Sequence, residues 1–533
     1  MTQTHSWWQT GVLYQVYPRS FMDGNGDGVG DLPGITEKLD YLRWLGVDAL
    51  WLSPIYPSPM ADFGYDISDY TAVDPVFGTL QDMDALIEQV HSRDLKLILD
   101  FVPNHTSDEH PWFQEARASR ESAKRDWYIW RDPSPDGGPP NNWTSYFGGP
   151  AWQYDAQTGQ YYLHLFDVKQ PDLNWRNPAM QKAMYDVLRF WLDRGVDGFR
   201  VDVIWLMLKD DQFRDNPLNP VWRPGDAPSA YQIHTYTEDQ PGVHDLVRAM
   251  RSVLDSYKDR VLIGEIYLDV PRLVHYYGEM LDEAHLPFNF QFVTMKDWSA
   301  AIVRRAVDAY EKALPAGAWP NWVLSNHDQK RVASRLSREQ ARVALLLLFT
   351  LRGTPTCYYG DELGIQDVPV PPEQVYDPQG KGNPEHSRDP ARSPMQWDSG
   401  PNAGFCPANV APWLPLASDY QTYNVASEQN DPRSFLSLAR SLLTLRRSLP
   451  ALVLGSYSSL DQDNAACFAY LRQHDEQRYL VVLNVSAQEQ VVQLPELGQG
   501  RIALSTHMDR EGTIDLALLT LRANEGYLIE VVH

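Results

Sequence analysis

The segment Leu95-Lys-Leu-Ile-Leu-Asp-Phe-Val-Pro-Asn-His105 begins with a short apolar run and ends in polar residues. The run is too short for a helix and rich in Leu and Ile, which predicts a buried β-strand with functional groups at its end. Similar runs recur at residues 12–17, 49–54, 95–101, 198–204, 261–267, 289–292, 322–326 and 355–359. Helical patterns lie between several of them, such as the stripe Met83, Leu86, Ile87 and Val90. Eight strands alternating with helices predict an α/β fold, most simply a (β/α)8 TIM barrel.

Two long segments interrupt this alternation. Residues 103–172 are rich in Trp, Tyr, Pro, Gly and Asn, which predicts an inserted subdomain after strand 3. Residues 209–245 follow strand 4 and exceed the roughly 2–6 residues of an ordinary βα connection, which favours a functional role. We therefore predict a barrel formed by residues 1–102 and 173–450.

The pattern changes again near the C-terminus. Residues 435–449 carry leucines at helical spacing, and Pro450 follows them. Beyond this point apolar residues recur with a period of two between Gly- and Asn-rich turns. Residues 451–533 are therefore predicted to form a C-terminal antiparallel β-domain, a β-sandwich.

Composition excludes several classes of partner. The 533 residues carry a formal net charge of −24, which argues against nucleic acid and anionic membranes as partners. No apolar run approaches the roughly 20 residues of a membrane helix, and the start of the chain does not resemble a signal peptide. Cys357, Cys406 and Cys467 are too few for a disulfide framework. We expect a cytoplasmic monomer or homodimer with a small-molecule ligand.

Four predicted strands end in acidic residues: Asp100, Asp202, Glu265 and Asp328. Any one of them alone could be a helix N-cap. Several together favour catalysis, because an apolar strand loses free energy when it buries an unused carboxylate. We favour function for the last three; for Asp100, and for Asn104, function and structure remain equal alternatives.

Carboxylates without a redox cofactor suit glycoside cleavage, in which one acts as nucleophile and the other as acid. Arg200 lies two residues before Asp202 on the same face of a strand, and should keep Asp202 ionised. Glu265 has no basic neighbour in its strand, so apolar walls are expected to raise its pKa.

The motifs also match a known family in order. They are Asp100-Phe-Val-Pro-Asn-His105, Gly198-Phe-Arg-Val-Asp202, Ile263-Gly-Glu265 and Asn326-His-Asp328, with Tyr14-Gln-Val-Tyr-Pro-Arg-Ser-Phe21 and Gln170-Pro-Asp-Leu-Asn174 in support. With these motifs the chain resembles glycoside hydrolase family 13, the α-amylase superfamily, and within it the α-glucosidase and oligo-1,6-glucosidase group. The resemblance spans at least residues 7–400, and it implies a retaining, exo-acting α-glucosidase.

The resemblance implies a catalytic role for three acids. Asp202 would be the nucleophile, Glu265 the acid/base, and Asp328 the stabiliser of the transition state. Arg200 would orient Asp202. Val203, directly after the nucleophile, would favour α-1,6 bonds, although it could instead be an ordinary strand residue.

The resemblance also implies a closed glucose pocket. Tyr65 would stack under the sugar and Asp62 would bind its far hydroxyls. Arg392 would pair with Asp62, with Arg388 as the close competitor. The other residues that would bind or line the glucose site are His105, His327, Phe147 and Phe166; the two phenylalanines could equally be local core.

An oxygen-rich loop near the N-terminus predicts a structural metal. Asp23, Asn25, Asp27, Val29 and Asp31 occupy ligand positions of the first half of an EF-hand loop, although Gly34 stands where the bidentate Glu is expected. The resemblance implies Ca²⁺ or Mg²⁺ here, away from catalysis; a plain Gly-Asn turn is the alternative.

Two other functions share this scaffold. One is a glucosyl transferase or isomerase that makes trehalose or isomaltulose. The Gln329-Lys-Arg331 segment does not match the Arg-rich loop of sucrose isomerases. The other is a non-catalytic sugar-binding homologue, which would not need Glu265.

Overall fold

A computed structural model describes residues 5–460 and 464–532. Its largest sheet has eight parallel strands in the spatial order 7-8-1-2-3-4-5-6. The strands are Leu13–Val16, Ala49–Leu52, Lys96–Phe101, Gly198–Val201, Val261–Gly264, Leu286–Pro287, Asn321–Val323 and Thr354–Tyr358. The predicted α/β barrel is confirmed, because consecutive strands are neighbours and the sheet closes almost completely.

Helices follow the barrel strands and cover the outside of the sheet. The main ones are Leu39–Leu45, Leu80–His91, Pro178–Asp193, Val243–Asp255, Ala300–Ala313, Arg338–Thr350 and Phe435–Ser448, and the short helix Val270–Leu273 follows the fifth strand. The helix Leu80–His91 buries one apolar stripe, formed by Met83, Leu86, Ile87 and Val90. The helix Arg338–Thr350 is instead buried on every side from Val343 to Thr350.

The sixth strand differs from the prediction. Residues 289–292 were expected to form it, but the strand is Leu286–Pro287, and Gln291–Thr294 is a short helix. Phe288, Phe290 and Phe292 alternate like strand residues in the sequence, yet they belong to the turn and helix that follow the strand. The fourth strand also ends earlier than predicted, at Val201.

A side chain closes the barrel between its sixth and seventh strands. These two strands are the ends of the sheet, and no ladder joins them in the described chain. Asn321, fully buried, accepts a hydrogen bond from the Asn289 backbone N–H at 2.9 Å and donates one to the Pro287 carbonyl. The side-chain amide thus replaces backbone pairing at this seam.

The other sheets lie outside the barrel. Trp130–Arg131, Gln160–Leu163 and Trp152–Asp155 form a small antiparallel sheet within the segment between the third and fourth barrel strands. The C-terminal antiparallel domain is confirmed. Its strands are Ser456–Ser459, Cys467–His474, Gln477–Asn484, Gly526–Val532, Gln499–Ser505 and Gly512–Asp515 in spatial order, with a second sheet of Gln490–Val492 and Leu519–Leu521.

The exact domain boundaries stay predictions, and residues 1–4, 461–463 and 533 of the predicted domains lie outside the described residues. Among the residues that the structure describes, no helix is both long and apolar enough to cross a bilayer.

Candidate active site

One arginine joins three acids at the carboxyl ends of neighbouring strands. Arg200 Nη1 donates hydrogen bonds of 2.8 Å to both Asp100 and Asp202, and its Nη2 lies 2.7 Å from Glu265 Oε2. The guanidinium is fully buried, which makes these charge-assisted contacts strong. The third, fourth and fifth strands therefore bring their terminal acids to one point.

The charges of Asp202 and Glu265 are coupled. Burial and the charge of Glu265 raise the pKa of Asp202 well above its ordinary value, while burial raises the pKa of Glu265; Arg200 lowers both. Such a pair favours a state with one proton and one negative charge. The expectation that Arg200 keeps Asp202 ionised was wrong, since burial and the charge of Glu265 outweigh Arg200 and raise the pKa of Asp202. The same guanidinium also reaches Glu265 from the neighbouring strand.

A strained turn follows Asp202. Val203 has a φ of +38°, a left-handed conformation that β-branched residues rarely adopt, and its N–H donates a 2.8 Å hydrogen bond to Glu265 Oε2. The alternative that Val203 is an ordinary strand residue is therefore wrong. Because Oε2 is held by this N–H and by Arg200, Oε1 is the oxygen of Glu265 left to carry a proton toward a ligand.

One part of the cavity wall is an ion-pair cluster around Arg388. Its guanidinium contacts Asp62 Oδ1 at 2.5 Å, Asp377 Oδ1 at 2.6 Å and Asp328 Oδ1 at 3.2 Å. We call this cluster the blind end. Asp377 also accepts the Nε and backbone N–H groups of Arg388, so it fixes the direction of that side chain.

The predicted pairing of Arg392 with Asp62 was wrong. Arg392 ends a short 3₁₀ turn, Asp389–Arg392, and its Nε donates to the His327 carbonyl at 2.8 Å while Nη2 lies 3.2 Å from Asp328. Arg388, at the start of that turn, faces Asp62 instead. Sequence order alone could not separate two arginines one helical turn apart.

Opposite pKa shifts distinguish Asp62 from Asp328. Burial raises the pKa of Asp62 to about 6, although Arg388 opposes the shift. Burial also acts to raise the pKa of Asp328, but His327, Arg388 and Arg392 outweigh it, and the pKa of Asp328 is lowered. Asp328 therefore stays ionised at pH values where Asp62 titrates.

The predicted sugar-binding aromatic residues take different places. Tyr65 and His105 line the cavity, as do Phe147 and Phe166. His327 is fully buried behind Tyr65, stacked on that ring with its centroid 5.4 Å away, and its Nε2 lies 3.2 Å from Asp328 Oδ2. Its predicted hydrogen bond to a sugar stays a prediction. Burial lowers the pKa of His105 to about 4 and that of His327 to about 3, so both are neutral near pH 7.

The cavity itself encloses about 390 Å³. The remaining wall residues, which the sequence did not identify singly, come largely from the aromatic insertion and the long loop after the fourth strand: Tyr146, Trp205, Leu206, Ser229, Ala230, His234, Glu238, Tyr267, Gln329 and Gln379. We call the side formed by Tyr146, His234 and Glu238 the mouth. The length of the 209–245 segment was the one sequence signal for this wall.

The loop at the mouth is joined to the insertion by many hydrogen bonds. Asn142 Nδ2 donates to the Asn216 carbonyl at 2.9 Å, and the Asn216 N–H donates back to Asn142 Oδ1 at 2.8 Å. Trp143 Nε1 donates to the Arg214 carbonyl, and Gln232 Nε2 donates to that of Asn142. This wall is therefore preformed.

The oxygen-rich loop shows no gathered metal site. Both carboxylate oxygens of Asp23 accept backbone N–H groups, and so do both of Asp31, which caps the helix Leu32–Glu37. Within the described ranges, no three acidic, histidine or cysteine side chains are placed to hold a metal ion. The Ca²⁺ or Mg²⁺ expected at this loop therefore stays a prediction.

Comparisons with known proteins show the family of this chain. The family model for the alpha amylase catalytic domain matches residues 15–455, and that for the maltogenic amylase C-terminal domain matches residues 457–522. The chain is 42% identical to an alpha-glucosidase of Culex pipiens, over 97% of this chain and 89% of the relative. It is 39% identical to an oligo-1,6-glucosidase of Parageobacillus thermoglucosidasius, over 98% and 99%. The crystal structure of an alpha-glucosyl transfer enzyme, XgtA, superposes with a TM-score of 0.93 at 42% identity, covering 99% of this chain and 100% of that one.

Proposed function

This chain belongs to the α-amylase family of glycoside hydrolases, and on that premise we propose that it is a retaining, exo-acting α-glucosidase that acts on short α-glucosides. The observation that carries the proposal is the single guanidinium of Arg200 in contact with both Asp202 and Glu265. Retaining enzymes need their two carboxyl groups about 5–5.5 Å apart, whereas inverting enzymes need roughly 6.5–9.5 Å. Two acids that share one guanidinium suit the shorter separation.

Each acid then has a defined task. The Asp202 carboxylate attacks the anomeric carbon as its bond to the leaving oxygen breaks, and Glu265 gives its proton to that oxygen. Glu265, now ionised, removes a proton from water, whose oxygen attacks the same carbon and releases Asp202. The Asp328 carboxylate, ionised throughout, stabilises the positive charge that develops on the sugar in both steps.

The blind end supports exo action. In this proposal the ion pair of Asp62 and Arg388 ends the glucose site beyond the first sugar, so a chain would enter only by its terminal glucose. Polar groups of this kind discriminate strongly between substrates, because a mismatched ligand leaves them unpaired. The expected product is therefore one glucose per cleavage.

Product analysis on maltose, isomaltose, sucrose and trehalose tests the proposal. We expect glucose to appear first as the α-anomer, which ¹H NMR can follow before mutarotation. Release of β-glucose would overturn the retaining mechanism, and maltose in place of glucose and maltotriose as the first product from maltotetraose would overturn exo action.

A second candidate is glucosyl transfer on the same scaffold. The similarity to the α-glucosyl transfer enzyme favours it, and water and a sugar hydroxyl would compete for the same covalent intermediate. Measuring transfer products against free glucose at rising maltose concentration separates the two activities. A chain that yields only glucose at saturating sugar would exclude transfer.

Three finer features complete the proposal. A structural Ca²⁺ or Mg²⁺ near Asp23 stays a prediction, tested by whether EDTA lowers the Tm and Ca²⁺ restores it. A cytoplasmic location stays a prediction too; the three cysteines are free and buried. A monomer or homodimer is expected by light scattering.

A further inference from the structure

The mouth carries a carboxylate that the proposed mechanism does not use. Glu238 lines the cavity, and its Oε1 accepts a 2.7 Å hydrogen bond from the hydroxyl of Tyr146. Tyr146 belongs to the insertion and Glu238 to the loop after the fourth strand, so this bond joins the two walls of the mouth. Glu238 Oε2 has no hydrogen-bond partner in the part of the chain that the structure describes.

The donor of this bond is held rigidly. The Tyr146 ring is stacked between His234, at 4.8 Å between centroids and 11° between planes, and Phe166, at 5.3 Å and 18°. Burial and the neighbouring Glu238 charge raise the pKa of Tyr146 far above its ordinary value, so its hydroxyl keeps its proton and donates it. One oxygen of Glu238 is thereby occupied, and the other can accept a hydrogen bond from a ligand.

The backbone beneath Glu238 is fixed as well. Gln240 Nε2 donates to the Glu238 carbonyl at 2.7 Å, and the Asp239 side chain pairs with Arg272 at 2.8 Å. The Asp239 N–H donates to the carbonyl of Trp205, three residues beyond the nucleophile. Glu238 therefore lies on the side of Asp202 and its following turn, whereas the blind end is formed by other elements.

Resting on the proposed function, we propose that Glu238 is a specificity-determining residue that accepts a hydrogen bond from a hydroxyl of the leaving sugar. The same contact holds an acceptor sugar during transfer, since acceptor and leaving sugar occupy the same place. A hydrogen bond to a charged group that is positioned in advance adds affinity at little entropic cost. The ligand class is a neutral sugar with free hydroxyls, rather than a flat or apolar leaving group.

The test compares two leaving groups in the variants Glu238→Gln, Glu238→Ala and Tyr146→Phe. For maltose or isomaltose we expect kcat/KM to fall roughly 10- to 100-fold in Glu238→Ala, the range of one hydrogen bond to a charged group, and less in the other two. For an aryl α-glucoside, which has no hydroxyl-bearing leaving sugar, kcat/KM should stay within about twofold. Transfer to added maltose should fall along with disaccharide cleavage.

Asp211→Asn is the matched control, because Asp211 is an exposed acid of the same loop and its loss changes the net charge equally. It should change neither substrate. Equal loss on both substrates in Glu238→Gln would indicate a structural role and overturn the inference, as would unchanged disaccharide cleavage in Glu238→Ala. Inactivity of the wild type on both substrates would instead overturn the proposed function, and this inference with it.

Discussion

The blind end and the mouth of the cavity are built in opposite ways. The blind end consists of charged groups, and each has a charged partner: Asp62 with Arg388, Asp328 with Arg388 and Arg392. Asp328 follows the seventh barrel strand, whereas Asp62 and Arg388 lie on the segments after the second and eighth strands. The mouth consists mainly of rings and one carboxylate, supplied by an insertion and a long loop. The first region is built from paired charges and the second mainly from aromatic rings.

This difference suggests separate roles for the two regions, catalysis at the blind end and selection of the leaving sugar at the mouth. Groups proposed to hold the reacting sugar must be placed accurately, which buried ion pairs achieve. Groups that select the leaving sugar lie on connecting segments, which can vary without disturbing the barrel. Substitutions at the blind end should therefore affect every substrate, and those at the mouth should affect substrates unequally.

Replacing the nucleophile should give the largest effect and the least dependence on substrate. Asp202→Ala is expected to lower kcat by about 10⁴-fold or more on disaccharides and aryl glucosides alike, because no covalent intermediate can form. Added azide should restore turnover of an aryl α-glucoside and yield β-glucosyl azide, identified by mass spectrometry and NMR. Retained activity without that product would remove Asp202 from its role.

Replacing the acid should introduce a dependence on the leaving group. Glu265→Gln is expected to lose roughly 10²- to 10⁴-fold on maltose, since the leaving oxygen needs a proton. An aryl glucoside with an acidic leaving group should lose much less in the first step, measured as a pre-steady-state burst. Equal losses on the two substrates would contradict the acid role.

The two arginines provide a sharp test of the blind end. Arg388→Ala leaves the buried Asp62 unpaired, which costs about 3–5 kcal/mol. We expect a correspondingly severe loss of kcat/KM on all glucosides. The loss in Arg392→Ala should be smaller, because Asp328, the partner of Arg392, remains paired with Arg388. The reverse order would place the functional arginine at 392.

The pH profile should change in the same variant. Asp62, with a pKa of about 6, binds a sugar hydroxyl best when ionised, so kcat/KM should fall as the pH drops through about 6. Arg388 lowers that pKa, and its removal must therefore raise it. The acid limb of the kcat/KM profile in Arg388→Ala is expected at higher pH than in the wild type; an unchanged limb would show that Asp62 does not control it.

The smallest effect is expected for a substitution at Val203, which lies between the blind end and the mouth. Val203→Thr keeps the shape of the side chain and adds a hydroxyl near the leaving sugar, which should move the ratio of isomaltose to maltose cleavage toward maltose by about 1–3 kcal/mol. Wild-type activity on isomaltose is part of this prediction. An unchanged ratio would remove Val203 from linkage choice.

The sequence predicted the three catalytic acids better than the mouth for a physical reason. Asp202, Glu265 and Asp328 stand at the ends of apolar strands, and the carboxyl ends of parallel strands must meet. Tyr146 and Glu238 lie 92 residues apart in two irregular segments, so only their folded packing brings them together. No local pattern marks such a pair.

Errors arose where local pattern and tertiary contact disagreed. Residues 289–292 were interpreted as a strand, but Leu286–Pro287 pairs with the fifth strand in their place. Arg392 was chosen over Arg388 from motif position, whereas the turn between them directs only Arg388 toward Asp62. In both cases the residue types were right and the geometry could not be deduced from them.

The Asn321 seam gives the barrel one place where it can open. Elsewhere its strands are joined by backbone ladders, but between the sixth and seventh strands one side-chain amide carries the closure. Amide hydrogen exchange would therefore be fastest, among the barrel strands, at Leu286 and Asn321–Val323, because local opening there breaks the fewest bonds. Local opening of the barrel is therefore expected along this seam, which lies beside the strand that leads to Asp328.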